Sequence, residues 1–385
     1  MADKFMKSIT FVEGGDAYYP LPKVTNADDG KILKVVNGKW RLDDLIPLPY
    51  LSFLGNEDFT LKTGNASKNW DGTLEYSTDG STWSTWDGTE IASSGSKLYL
   101  RGTGNTKITG NSTNYRFVFT GTSALKIACK GNIENLLDYE TVSAGGHSTM
   151  GNSCYRYMFY NCTSLTTAPE LPATTLANSC YKYMFGGCAS LTTAPALPAT
   201  TLANGCYRDM FKGCTSLTTA PALPATTLAV ECYGNMFRGC TALTTAPSVL
   251  PATTLVEGCY KYMFGGCTSL ATAPSVLPAT TLAARCYQFM FEFTAIDAIP
   301  RIMATTYATD SCKGMFDDIK TLNVYSASGT DHTYGWTAPS SASTYCSGMF
   351  GSDDGESEWA KLDGSNFPNS GTPTDGTTYY FKTVA

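Results

Sequence analysis

Twelve of the fourteen cysteines fall between positions 154 and 312, and their spacing decides what chemistry they could do. Five pairs lie eight residues apart: Cys154 and Cys162, Cys180 and Cys188, Cys206 and Cys214, Cys232 and Cys240, Cys259 and Cys267. Zinc sites use two to four intervening residues, a spacing absent here. On a helical segment eight residues separate two sulfurs by about 12 Å, too far for a disulfide within one unit. The pairs are therefore read as free thiols packing as small apolar side chains. Thr294 and Lys320 take the second-cysteine place where the pattern degrades.

Other chemistry is sparse. The two histidines are His147 and His332, and His332 is read as a surface residue. Ser352-Asp353-Asp354-Gly355-Glu356 is acidic but lacks the ligand spacing of a calcium loop, so a solvated turn is expected. No phosphate-binding loop, dinucleotide glycine pattern, nucleophile elbow or paired carboxylates stand out. No enzyme activity, cofactor or metal is expected. Trp83 and Trp86, three apart on a strand, point to opposite faces, so they make no sugar-stacking platform and at least one belongs to a core.

The 385 residues carry 27 Lys and Arg against 33 Asp and Glu, a net charge of −6. Charged residues make up 16%, against about 25% in ordinary soluble domains. Neutralising phosphates needs a surplus of cations, so a nucleic-acid partner is not expected. Lys4, Lys7, Thr10 and Glu13 interrupt any secretory core in the first twenty residues. The longest apolar run, Ile46 to Leu54, contains two prolines and is far short of a membrane span. Synthesis in a cytoplasm, reduced thiols and no membrane partner are the expectations.

Two ladders of equivalent positions are candidate binding faces. The residue after each Cys-Tyr pair is Arg156, Lys182, Arg208, Gly234, Lys261 and Gln288. Arg156, Lys182, Arg208 and Lys261 would make a cationic stripe for anionic glycans, or a solvated, variable face. The second ladder is Thr166-Thr167, Thr192-Thr193, Thr218-Thr219 and Thr244-Thr245. It could hold ordered water or line a carbohydrate groove. On a strand adjacent residues face opposite ways, so one Thr of each pair is expected outside.

The elements that must position these residues form a repeat. Cys154, Cys180, Cys206, Cys232, Cys259, Cys286 and Cys312 are 26 or 27 residues apart, and whole phrases recur between them. A period in the twenties sustained over about seven units predicts stacked coils with one continuous core. Cys206, Met210 and Cys214, at i, i+4 and i+8, predict one apolar stripe of a short helix or 3₁₀ turn, which Gly213 helps to end. Leu217 to Ala220 is a short β-prone run stopped by Pro221 and Pro224, and Thr226-Thr227 can cap the next turn. Upstream, Thr73 to Ser77 and Thr82 to Trp86 read as a hairpin about Asp79-Gly80, and Lys97 to Arg101 and Asn114 to Phe119 as further strands. Several short strands with turns suggest a small β-sandwich.

The stretches Met158 to Pro169 and Met184 to Pro195, with the Leu-Pro-Ala-Thr-Thr-Leu-Ala phrases after them, resemble the BspA-type leucine-rich repeats of bacterial and bacteriophage surface proteins. The resemblance covers about 150 to 320. It implies a right-handed leucine-rich solenoid with parallel strands, in a family whose members bind proteins or glycans. Leu125 to Leu137 resembles the segment that caps the start of such arrays, and Cys346 to Phe350 echoes the unit once more. The first 48 residues resemble the leader of phage head-fibre and tail-fibre proteins. Its core is Asp29, Gly30, Lys31, Ile32, Leu33, Lys34, Val35, Val36, Asn37, Gly38, Lys39 and Trp40, hairpin-like about Asn37-Gly38. In those proteins the leader attaches the fibre to the virion. The long shaft of a fibre is missing, which favours a compact decoration.

The expected fold is α+β and multidomain: a β leader at 1–48, a β-sandwich at 49–125, a leucine-rich-repeat solenoid of 26–27-residue coils at 126–320, and a Gly/Ser/Thr-rich C-terminal cap at 321–385. The resemblances imply a non-enzymatic bacteriophage virion protein made in the host cytoplasm, a head fibre or capsid decoration for host or glycan attachment. A phage tail fibre or receptor-binding protein, or a bacterial cell-surface adhesin, are the alternatives. Asp29, Gly30, Lys31, Leu33, Val35, Asn37, Gly38 and Trp40 would anchor it to capsid or other virion proteins. Host-surface glycan or protein would be the outer partner, and a homo-oligomer, a trimer by analogy with fibres, is expected although no heptad is present.

Overall fold

The computed structural model describes residues 31–36, 39–319, 322, 325, 328–330, 333–351 and 371–382. The chain divides into two units, Met1–Leu48 and Pro49–Ala385. In the first, β1 (Lys31–Val36) pairs antiparallel with β2 (Lys39–Pro47), with Val36 opposite Lys39.

The second unit opens with two sheets. Strands β3 (Leu51–Gly55), β5 (Thr73–Ser77), β6 (Ser84–Trp86), β8 (Lys97–Thr103), β10 (Ile127–Lys130) and β11 (Leu165–Thr167) form one, in the order β11-β10-β3-β8-β5-β6. Strands β4 (Thr60–Thr63), β7 (Ile91–Ala92) and β9 (Phe117–Thr120) form the other, in the order β7-β4-β9. The sheets meet through Phe53, whose ring lies 5.2 Å from Phe119, and through Trp86, 5.5 Å from Phe117. Trp86 is buried, its indole N–H donating to the Thr89 carbonyl at 2.8 Å, while Trp83 is only half-buried and lies 5.6 Å from Tyr50.

The expected boundary at 125 is not a boundary. Strand β10, assigned by the sequence to the repeat array, pairs antiparallel with β3 and parallel with β11 of the first coil. One sheet thus belongs to both parts, and the buried residues form one core from Leu51 to Phe381. Loop 106–117 covers the coil's other side: Ile108 and Thr109 donate to the Cys154 carbonyl, and Phe117 to that of Met158. Helix α1 (Asn135–Ser143) follows β10.

From 153 on, the recurring Cys-Tyr-x-x-Met-Phe-x-x-Cys segment forms neither an α-helix nor a 3₁₀ helix. An α-helix would bond each N–H to the carbonyl four residues back. Here the N–H groups alternate. In the second unit Lys182, Met184, Gly186 and Cys188 close turns onto Ser179, Tyr181, Tyr183 and Phe185, at 3.0–3.2 Å. Between them Ser179, Tyr181, Tyr183, Phe185 and Gly187 donate to Asn204, Cys206, Arg208, Met210 and Lys212 of the next unit, at 2.8–3.1 Å. Every N–H of the segment is satisfied, half of them along the stack. A left-handed residue recurs every fourth position, as at Ser179, Tyr183 and Gly187. This period of four, close to the helical 3.6, puts Cys180, Met184 and Cys188 on one side as the helix reading requires.

Stacking turns the repeat into columns. Tyr155, Tyr181, Tyr207, Tyr233, Tyr260 and Tyr287 lie face to face with ring centres 5.7–6.0 Å apart. Phe159, Phe185, Phe211, Phe237, Phe264, Phe291, Phe316 and Phe350 do the same at 5.5–5.8 Å. The second cysteine of each unit is held by more than its size. The thiols of Cys188, Cys214, Cys240 and Cys267 donate to the phenylalanine carbonyl of the preceding unit at 3.0–3.1 Å. Gly187, Gly213, Gly239 and Gly266 adopt φ near +74°, a left-handed conformation that favours glycine. All fourteen cysteines are buried and unpaired.

The tyrosine hydroxyls differ in one testable respect. That of Tyr155 donates to the Ile133 carbonyl at 3.1 Å, whereas those of Tyr181 and Tyr233 are buried with no hydrogen-bond partner among the described residues. Tyr155→Phe should therefore cost about 1 kcal/mol, while Tyr233→Phe should be neutral or stabilising by up to about 1 kcal/mol. Thermal melting of both variants checks this, and a clear loss in Tyr233→Phe would contradict it.

The end of the array corrects the alignment on Cys312. Tyr287 donates to Ser311 and Phe291 to Met315, so Ser311 takes the cysteine place and Cys312 the tyrosine place. Cys286 and Ser311 are 25 residues apart, so the lost residue lies upstream of Ser311. The Cys346 segment stacks on this coil, with Cys312 bonded to Tyr345 and Phe316 to Met349. Short strands β12 (Val276–Leu277) and β13 (Arg301–Ile302) pair in parallel, β14 (Tyr334–Thr337) and β15 (Thr378–Phe381) antiparallel, with helix α2 (Ala342–Tyr345) between the last two. Phe381 covers Phe350 at 5.5 Å and closes the column.

Candidate functional site

The leader residues are only partly within the described set. Lys31, Leu33 and Val35 lie in β1 and Trp40 in β2, while Asp29, Gly30, Asn37 and Gly38 lie outside the described residues, as do Lys320, His332 and the acidic turn Ser352–Glu356. The other histidine, His147, places its Nδ1 2.9 Å from the Oε2 of Glu134, which is buried. Among the described residues no group of three or more His, Cys, Asp or Glu could hold a metal, and no helix is long and apolar enough to cross a membrane.

The cationic ladder is real in its first half and broken in its second. Arg156, Lys182 and Arg208 follow one another on successive coils, and all three are half-buried. Arg156 donates to the Asn111 Oδ1 and the Tyr157 hydroxyl, both at 3.1 Å. Burial, and the flanking charges of Arg208 and Arg156, push the Lys182 pKa down. Arg208 is answered from inside the chain by Glu231 and by Asp209 at 3.3 Å. Asp209 is itself buried, and that burial raises its pKa despite Arg208 and Lys212. Gly234 then interrupts the column, so Lys261 stands apart, its pKa lowered by burial and by Arg285.

The threonine ladder is also corrected. In the pairs 192–193, 218–219 and 244–245 both threonines are exposed, not one. Leu217 and Ala220 point inward while Thr218 and Thr219 between them point out. That in-out-out-in pattern is not the alternation of two of an extended strand. Of these runs only Leu165–Thr167 is a strand, and the later coils pair through single residues such as Thr219, Thr245 and Thr272. The Leu-Pro-Ala-Thr-Thr-Leu phrase builds a second, longer column of the same kind. Thr175, Thr201, Thr227, Thr254, Thr281 and Thr306 are bridged in parallel, and each is exposed together with the threonine before it.

One feature was not legible in the sequence: a cleft of about 460 Å³ where the sheets meet the first two coils. It is lined by Arg116 and Phe119 on or beside β9, by Thr122 and Lys126 on the following loop, by Tyr160 and Asn161 of the first coil, and by Ser190 of the second. Three distant segments supply these residues, so no linear motif could announce them. The trace in the sequence is a departure from the repeat, Tyr160-Asn161 standing where the second unit has Gly186-Gly187.

Searches against protein-family models, curated proteins and solved structures find no match to this chain.

Proposed function

We propose that the chain is a non-enzymatic display protein of a bacteriophage virion, a head fibre or capsid decoration, with a leucine-rich-repeat solenoid that carries a host- or glycan-facing surface. The observation that carries this reading is the pairing of a leader-like hairpin, a unit of its own, with a repeat array. The array's stacked turns, aromatic columns and inward cysteines leave its outside to threonines and half-neutralised cations. Such a surface has the repetitive outline of a binding scaffold. Residues 1–48 are the attachment segment.

The test is incorporation into particles. A chain beginning at Pro49 should fold, since the second unit carries its own core. It should remain soluble and stay off the capsids that the full chain decorates, as read by sedimentation of particles with bound protein. Equal loading of the truncated and full chains would refute attachment through residues 1–48.

A further inference from the structure

The cleft between the sheets and the first two coils has the composition of a ligand site. Its volume, about 460 Å³, falls within the roughly 300–1,000 Å³ of small-ligand clefts. Two cations line it, and among the described residues neither is paired with a carboxylate. Arg116 donates to the Thr113 carbonyl at 3.1 Å, and the Lys126 ammonium to the Ser190 hydroxyl at 2.8 Å. Elsewhere on the repeat, Arg208 and Arg285 have their carboxylates, Glu231 and Glu257. Positive charge left unanswered in a concave site favours an anion.

The rest of the lining favours a sugar. Thr163, Ser164 and Ser190 bring hydroxyl groups and Asn161 a side-chain amide, while the Thr122 hydroxyl is already donated to the Glu57 carboxylate at 2.7–2.8 Å. Tyr160 brings an aromatic ring, held edge-to-face by Tyr157 and Tyr183 at 5.5 and 5.8 Å. Gly186, one coil on, leaves room for that ring, since a Cβ there would sit 3.1 Å from it. Asn161 adopts φ +57°, where four later coils place glycine.

We propose that this cleft binds an acidic saccharide, its carboxylate or sulfate taken by Arg116 and Lys126 and its ring laid against Tyr160. This rests on the display reading for its setting and deepens it by naming the ligand class and the place. The binding face is then the junction of sheets and coils, not the cationic or threonine ladders.

The full chain should be titrated with glucuronic acid, N-acetylneuraminic acid and galactose 6-sulfate, with glucose, galactose and inorganic sulfate as separate arms. Calorimetry and saturation-transfer NMR read the binding. At least one acidic sugar should bind while glucose and galactose do not. Lys126→Gln, Arg116→Gln and Tyr160→Ala should each weaken that binding roughly tenfold, with the melting temperature of Lys126→Gln unchanged. The exposed Lys126 makes the first of these safe for folding. No binding of any acidic sugar, binding that ignores Lys126→Gln, or inorganic sulfate binding as tightly as the sulfated sugar would overturn the proposal. Particle incorporation does not depend on the cleft, so either result leaves the attachment test standing on its own.

Discussion

Raising the pH from 8 to 10 is expected to unfold the repeat array. Burial pushes the thiols of Cys206, Cys214, Cys259 and Cys267 up to about 12, and that of Cys162 to about 11. Cys180, Cys188, Cys232 and Cys240 are raised well above the ordinary thiol value by burial first and by neighbouring thiols second. In the unfolded chain the same groups ionise near 8.5. Below that pH both states hold the proton and the stabilisation is fully present. Above it the unfolded chain releases protons that the fold must keep, so stability falls until the pH passes the folded values. At pH 10 each thiol raised to about 12 contributes roughly 2 kcal/mol to unfolding. Four of them already approach the 5–15 kcal/mol that holds an ordinary domain together. Circular dichroism from pH 7 to 11, with thiol alkylation followed by mass spectrometry, measures it. The native array should stay unlabelled at pH 8 and become labelled together with loss of structure by pH 10. A fold that keeps its spectrum and its unlabelled thiols at pH 10.5 would show that burial is not what protects them.

Phe237→Ala should cost about 3–5 kcal/mol, the range for deleting a fully buried aromatic side chain. The ring lies 5.6 Å from Phe211 and 5.7 Å from Phe264, nearly parallel to both. Its loss removes two stacked pairs and opens a gap in the middle of the column. The backbone on either side is pinned by Phe211 donating to Met236 and Phe237 to Met263, both at 2.9 Å, so the coils cannot close over the gap. Phe237→Leu fills most of the volume and should lose less than half as much. Urea denaturation of the two variants beside the parent chain decides it. Because coils interact chiefly with their neighbours, Phe237→Ala should also separate the unfolding of the two halves of the array. Equal stability of Phe237→Ala and the parent would mean that the column contributes shape and not energy.

The helix reading failed for a reason visible at particular residues. Cys206, Met210 and Cys214 sample only two turns, over which periods of 3.6 and 4.0 select the same side chains. Gly205 and Gly213 carried the discriminating signal. Glycines eight apart, each one residue before a cysteine, suit left-handed positions and disfavour a helix interior. The threonine pairs depart from the expected alternation because Leu217-Thr218-Thr219-Ala220 touches its neighbour through the single bridge at Thr219 and is not a continuous strand. The sheet boundary at 125 failed because strand pairing is non-local: nothing in Ile127–Lys130 says that Leu51–Gly55 and Leu165–Thr167 will flank it.

The amino-acid sequence by itself determined the period, the identity of the columns and the inward cysteines, because a repeated phrase must put like residues at like places once the coils stack. The tertiary structure alone decided how the peptide groups divide between turns and neighbouring coils, and where Cys312 sits after a deletion. It also decided that the junction of sheets and coils holds two cations and a tyrosine around a cleft. Those outcomes depend on hydrogen bonds and side chains from residues far apart in the chain, and no local spacing records them.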